Sequence, residues 1–231
     1  MKRFVRRLAG RLDYLRKPER RNRVWPMNGQ QARLEAVREV IDACRIEQIV
    51  ETGTHLGYTA DWFAQLGPRV TTVELNPRWF EVSRLRLRKY GHVRVIEGRS
   101  IEVLRDLVNE AGSRERRIFF YLDAHWFEHL PLAEELVLIA RHFPKAVILI
   151  DDFQVPDDPG YGFDDYGSGK RISLEYVANS GASDWTAYFP RASSQDESGR
   201  RRGWVVLTAD PAMISTLDKV ASLRRLSATA A

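Results

Sequence analysis

An α/β fold, with a mostly parallel sheet covered by helices on both faces and closed by an antiparallel C-terminal hairpin, is predicted by three features of the sequence. Short apolar runs alternate with longer amphipathic stretches along most of the chain. Two of those runs, 118–122 (Ile-Phe-Phe-Tyr-Leu) and 146–150 (Ala-Val-Ile-Leu-Ile), are apolar at every position, as in central strands buried on both sides. The last two strand-like runs, 185–189 and 203–207, have no helical pattern between them and so pair as a hairpin.

The elements follow in order. A helix over 30–43 carries Val37, Val40 and Ile41 at helical spacing, and Cys44, the single cysteine, continues that stripe as a packed thiol. A first strand, 47–51, enters the loop Glu51-Thr52-Gly53-Thr54-His55-Leu56-Gly57 and then a helix over 58–65, stopped by Leu66-Gly67-Pro68. The second strand, 70–74, is followed by Asn76-Pro77, a cap and first-turn pair, and by a helix that Gly91 ends. A third strand, 93–96, leads through Gly98-Arg99 to Ser100, a cap for the helix reaching Asn109. Strand 118–122 ends at Asp123, a helix runs from Pro131 to Phe143, and strand 146–150 ends at Asp151-Asp152. Residues 153–170 are too rich in Gly, Pro and Asp for a regular element and read as a lid or substrate loop. A short helix over 172–178 precedes the hairpin.

With 231 residues, 44% hydrophobic and 29% charged, the chain can bury one full core, which sets a single domain over 28–231 behind a basic extension, 1–27. The formal charge of +5 is uneven, because residues 1–24 hold ten Lys or Arg against Asp13 and Glu19. Phe4, Val5, Leu8, Leu12 and Leu15 fall near helical spacing within that segment. It reads either as an arm docked on the domain or as an amphipathic helix on an anionic membrane surface. No apolar run reaches the ~18 residues of a membrane span, and residues 1–7 lead into no signal-peptide core. A cytoplasmic protein, at most peripheral to a membrane, is expected.

A glycine turn between strand and helix lets the backbone approach a ligand and offers the helix's unpaired N–H groups, at the crevice where open parallel sheets bind ligands. The dinucleotide pattern Gly-x-Gly-x-x-Gly is not met, since His55 and Tyr58 take its second and third positions. What remains is Glu51-x-Gly53-x-x-x-Gly57, with Glu74 at the end of the next strand. In these residues the sequence resembles the class I S-adenosylmethionine-dependent methyltransferases, whose first motif is Asp/Glu-x-Gly-x-Gly-x-Gly and whose second strand ends in an acid. The resemblance implies a Rossmann-like seven-stranded methyltransferase fold and S-adenosylmethionine as cofactor. It places Glu51, Gly53 and Gly57 around the methionine part, with Thr54 in the same loop, Glu74 on the ribose and Ser100 beside the adenine. His55 stands where the family has its middle glycine.

Asp123 and Asp151-Asp152 lie just past two strand ends that are neighbours in the methyltransferase strand order. Converging carboxylates repel unless a cation joins them, and oxygen ligands suit Mg²⁺ or another hard divalent ion. The arrangement is similar to metal-dependent small-molecule O-methyltransferases of the macrocin and catechol type. That resemblance implies Asp123, Asp151 and Asp152 as metal ligands and a hydroxyl of a small molecule or glycan as acceptor. His125, two residues beyond Asp123, is the best-placed base, with Lys170 a weaker alternative; His125 and Asp123 are therefore the catalytic candidates. Other roles stay open for the acids: Asp151 or Asp152 capping the loop, or Asp123 meeting the cofactor's ammonium group.

Two rival classes are weighed against this. The basic segment suits an RNA methyltransferase or binder, but Asp123-Ala124-His125-Trp126 follows the fourth strand where base methyltransferases carry Asn/Asp-Pro-Pro-Tyr/Phe, so nucleic acid is not the expected partner. A non-catalytic module docking through Trp126, Trp185 and Trp204 is the other, although such residues fit core or pocket walls better. Tyr161, Phe163 and Tyr166 serve either to stack on a ring-bearing acceptor or to pack the loop onto the domain.

Overall fold

The computed structural model describes residues 1–17, 25–125, 130–167, 169–182 and 184–226; residues 18–24 of the basic segment and Trp126 lie outside them. Helix α1 (Lys2–Arg16) comes first, followed by a 3-10 turn, Pro26–Gly29, and α2 (Gln31–Ala43). The repeating units are β1 (Gln48–Thr52), α3 (Tyr58–Phe63), β2 (Arg69–Glu74), α4 (Pro77–Leu87), β3 (Val93–Glu97), α5 (Ser100–Val108), β4 (Ile118–Leu122), α6 (Leu132–His142) and β5 (Ala146–Ile150). After them come α7 (Leu174–Asn179), β6 (Thr186–Pro190), β7 (Val205–Thr208), α8 (Pro211–Leu217) and β8 (Leu223–Arg224).

The strands stand in the order β3-β2-β1-β4-β5-β7-β6-β8, with parallel pairs up to β5 and antiparallel pairs beyond it. This is the expected α/β sheet with its hairpin, extended by one strand. The eighth, β8, pairs with β6 only through Phe189–Arg224 and Pro190–Leu223, too short a run to show a period. Sequence order reverses between β1 and β4, so the ligand crevice opens at the C-terminal ends of those two strands.

Alternation across the sheet divides the core. Ile49, Phe119, Tyr121, Val147 and Leu149 pack with Val37, Val40 and Phe63 on one face, while Val50, Phe120, Leu122, Ile148 and Ile150 meet Leu104, Leu136 and Ile139 on the other. Cys44 joins the first cluster, where burial pushes its thiol up to about 11. Asn76 caps α4 by accepting the Arg78 N–H at 3.0 Å, and Pro77 occupies the first turn. Ser100 is the first residue of α5 rather than its cap, a position taken by Arg99 without a side-chain bond.

Within 153–170, Phe153, Val155 and Tyr161 are buried, and the Tyr161 hydroxyl donates to the Ala192 carbonyl at 3.1 Å. Tyr161 therefore packs this segment onto the domain. Helix α1 crosses α4 at Gly10, where an added Cβ would lie 2.2 Å from the Arg78 carbonyl oxygen. No helix among the described residues is long and apolar enough to cross a membrane.

Candidate active site

Strand β1 is buried throughout, and its last side chains open the crevice. Gly53 turns the chain at φ 91, and its missing Cβ leaves room for the Asp123 carbonyl, which a methyl group would approach to 2.3 Å. The Gly53 and Thr54 amides both donate to the Val73 carbonyl, at 3.0 and 3.1 Å, pinning the loop to β2. His55, at the position of the family's middle glycine, adopts the same left-handed region at φ 47, which histidine tolerates better than most side chains. Its ring stands edge-on to Trp79 at 5.1 Å. Gly57 is left-handed as well and starts α3.

Glu74, at the end of β2, accepts the His55 amide at 2.7 Å and the Asn76 amide at 2.8 Å. Burial raises its carboxyl against the pull of those N–H groups. Each oxygen keeps a further lone pair, so the group is held in place and still able to accept hydroxyls. Glu51 is buried on β1 and receives the Thr72 hydroxyl, which also meets Thr54. Burial pushes the Glu51 carboxyl up to about 8, with the nearby Glu74 adding to the rise and Thr72 opposing it. Ser100 is buried, and its hydroxyl lies with that of Thr52 beside Glu135, a carboxyl that burial pushes up to about 7.

The second half of the crevice holds the acids. Asp123 follows β4, its amide donating to the Thr52 carbonyl at 3.0 Å. Burial, then the charges of Asp151 and Asp152, raise its carboxyl well above the usual range. Asp152 follows β5 in a left-handed conformation, φ 52, and burial with the Asp151 charge pushes it up to about 7 despite an ion pair with Arg202. His125 is buried, its Nε2 has no hydrogen-bond partner, and burial lowers its pKa, so the imidazole is neutral at pH 7.

Asp123, His125 and Asp152 each present a ligand atom, all within 4.8 Å of one another. Ligand atoms ~2.1 Å from one ion stand about 3.0–4.2 Å from one another, so this trio would have to draw in to hold a cation. The orphaned buried Nε2 of His125 would suit such a ligand. This set differs from the three aspartates expected from the sequence. Asp151 is already engaged: its Oδ1 accepts Arg33 Nη1 at 2.7 Å and the Asp152 amide at 2.7 Å, and its Oδ2 accepts the Tyr121 hydroxyl at 2.6 Å. Burial alone would raise Asp151, but the Arg33 guanidinium outweighs it and holds the carboxyl below its ordinary range. In this geometry His125, rather than Asp151, lies with Asp123 and Asp152.

Arg33, Tyr121, Asp164 and Arg202 were not anticipated as site residues. Arg33 did leave a signal, since it lies one turn before Val37 on the apolar stripe of α2, an unusual place for an arginine. Arg202 gave none: it stands in the run Arg200-Arg201-Arg202, which reads as solvated charge. It pairs with both Asp152 and Asp164, and the Tyr166 hydroxyl joins Asp164 to the His125 carbonyl, the latter at 3.2 Å. Lys170 is exposed in the segment outside this cluster.

The fold has counterparts among solved structures. The O-methyltransferase from Bacillus cereus, solved in complex with SAH, superposes with a TM-score of 0.55 at 17% identity, covering 78% of this chain and 81% of that one. The chain's fold is thus like that of this O-methyltransferase, the Rossmann-like sheet expected from the resemblance to class I S-adenosylmethionine-dependent methyltransferases. Its sequence is similar to the O-methyltransferase imqG of Aspergillus flavus, 30% identical over 141 residues that cover 58% of this chain and 51% of the relative. It is likewise similar to catechol O-methyltransferase B of Danio rerio, 29% identical over 170 residues that cover 69% of this chain and 58% of the relative. The chain thus spans little more than half the length of these curated relatives. No protein-family model matches it.

Proposed function

We propose that this protein transfers the methyl group of S-adenosylmethionine to a hydroxyl oxygen of a small molecule or glycan. One observation carries the reading: the left-handed loop at Gly53–Gly57, the Glu74 carboxylate and the Asp123–His125–Asp152 cluster all stand at the C-terminal ends of neighbouring strands. Cofactor and acceptor then meet across the switch point. The likeness to O-methyltransferases supports oxygen as the methylated atom.

Neutral His125 accepts the acceptor's hydroxyl proton as the oxygen attacks the methyl carbon. The new C–O bond forms as the C–S bond breaks, and the sulfonium leaves as a neutral thioether. Asp123 and Asp152 would hold a divalent cation, which when bound would supply a lowered pKa for the acceptor hydroxyl; His125, in the same cluster, serves either as their third ligand or as the base, not as both at once.

Titration calorimetry with S-adenosylmethionine tests the cofactor site, and Glu51 makes the outcome pH-dependent. A cationic ligand favours ionised Glu51, which below about pH 8 is mostly protonated in the free protein. Affinity is therefore expected to rise with pH, from roughly tenfold below its plateau at pH 7, with a proton released on binding. Heats that do not vary with the buffer's ionisation enthalpy would remove Glu51 from the site. For the cation, Asp152→Asn is expected to lower turnover by roughly 100-fold or more while cofactor affinity stays within about twofold. Activity that survives thorough chelation, with no gain from any divalent ion, would overturn the metal and leave the methyl transfer standing.

A further inference from the structure

Helix α1 is amphipathic in the sense opposite to that of a packed helix. Its polar side faces the protein: Arg3 and Arg7 pair with Glu97 at the end of β3, Asp13 accepts Arg78 Nε at 2.6 Å, and Gly10 lies against the Arg78 backbone. Those arginines hold the Glu97 carboxyl below its ordinary range against the effect of burial. Its apolar side faces out. Phe4 is 72% exposed, Leu8 49% and Leu15 57%, with Val5 and Leu12 completing the stripe. At 100° per residue these five side chains fall within one sector of the helix, flanked by Arg11 on one side and Arg16 and Lys2 on the other.

Large exposed apolar side chains among the described residues are confined to Met1, to this helix and to Leu75, in the link just before α4, on which the helix lies. Lys2, Arg6, Arg11 and Arg16 are exposed and form no ion pair among the described residues. An apolar stripe rimmed by unpaired cations suits a phase that is oily beneath and negatively charged at its surface. A second copy of the chain fits less well, because two-fold pairing on this stripe would set the same cationic rims against each other.

We infer that α1 is a membrane-docking helix, which seats the protein on anionic bilayers with Phe4, Val5, Leu8, Leu12 and Leu15 in the acyl boundary. Glu97 and Arg78 hold the helix at the end of the sheet where Glu74 lies, so docking brings the rim of the crevice to the lipid surface.

The full chain should sediment with phosphatidylcholine–phosphatidylglycerol vesicles at least roughly tenfold more than with pure phosphatidylcholine vesicles, and lose that preference in high salt. The double substitution Phe4→Asp, Leu8→Asp touches exposed positions only. It is expected to abolish sedimentation while S-adenosylmethionine affinity, measured by calorimetry, is unchanged. No sedimentation of the native chain, or sedimentation that the double substitution leaves intact, would overturn the inference. So would a native dimer, seen by light scattering without vesicles, that the double substitution turns into monomers.

Discussion

Gly53→Ala is expected to abolish S-adenosylmethionine binding and to destabilise the protein by about 2–4 kcal/mol. The new Cβ would stand 2.3 Å from the Asp123 carbonyl oxygen and 2.8 Å from its carbonyl carbon, and φ is 91 at this position. Both clashing atoms are backbone. They can move only by opening the contact between β1 and β4, where the Asp123 amide donates to the Thr52 carbonyl at 3.0 Å. Relief of the clash therefore displaces Asp123 along with the loop, and the variant loses both halves of the site. Urea unfolding and calorimetry measure the two effects separately. Native affinity in a folded Gly53→Ala protein would mean that the cofactor binds elsewhere.

Arg33→Met carries the second large effect, through stability. Arg33 is fully buried, and Asp151 with it; the guanidinium also donates to the Tyr121 hydroxyl at 3.2 Å and lies 5.6 Å from that ring's centre. Removing one member of a buried pair leaves the other charge uncompensated, which costs about 3–5 kcal/mol and lowers the melting temperature by roughly 10 °C for a chain of this size. The pH dependence has a definite sign. Asp151 is held below its ordinary value of 3.8, so the pair's contribution is complete above that pH and is lost as pH falls through the lowered value. Wild type and variant should thus differ fully at neutral pH and converge only in strong acid. A melting temperature within about 2 °C of wild type at pH 7 would show that the pair is energetically neutral.

Most of the fold was legible because local and tertiary preferences agree in it. Residues 118–122 and 146–150 are apolar at every position and became the fully buried β4 and β5; Asn76-Pro77 marked the start of α4. The strand ends that carry Asp123 and Asp152 followed directly. What escaped depends on partners distant in sequence. Strand β8 exists only through its pairing with β6, and the commitment of Asp151 depends on Arg33, which lies 118 residues away. Arg33 interrupts an otherwise apolar helical stripe, a sign that it is buried but not of what it binds. His55 shows the reverse: a residue that breaks the family's glycine pattern in sequence keeps the glycine's backbone conformation in space.

The link from Tyr166 through Asp164 to Arg202 has a consequence for how the site fills. Arg202 pairs with Asp152 and Asp164 at once, so one guanidinium ties the end of β5 to the 153–170 segment, and Tyr166 ties that segment on to the backbone of His125. Any ligand that displaced Arg202 from Asp152 would free a guanidinium that the segment still holds, so occupancy of the site and the seating of the segment would be coupled.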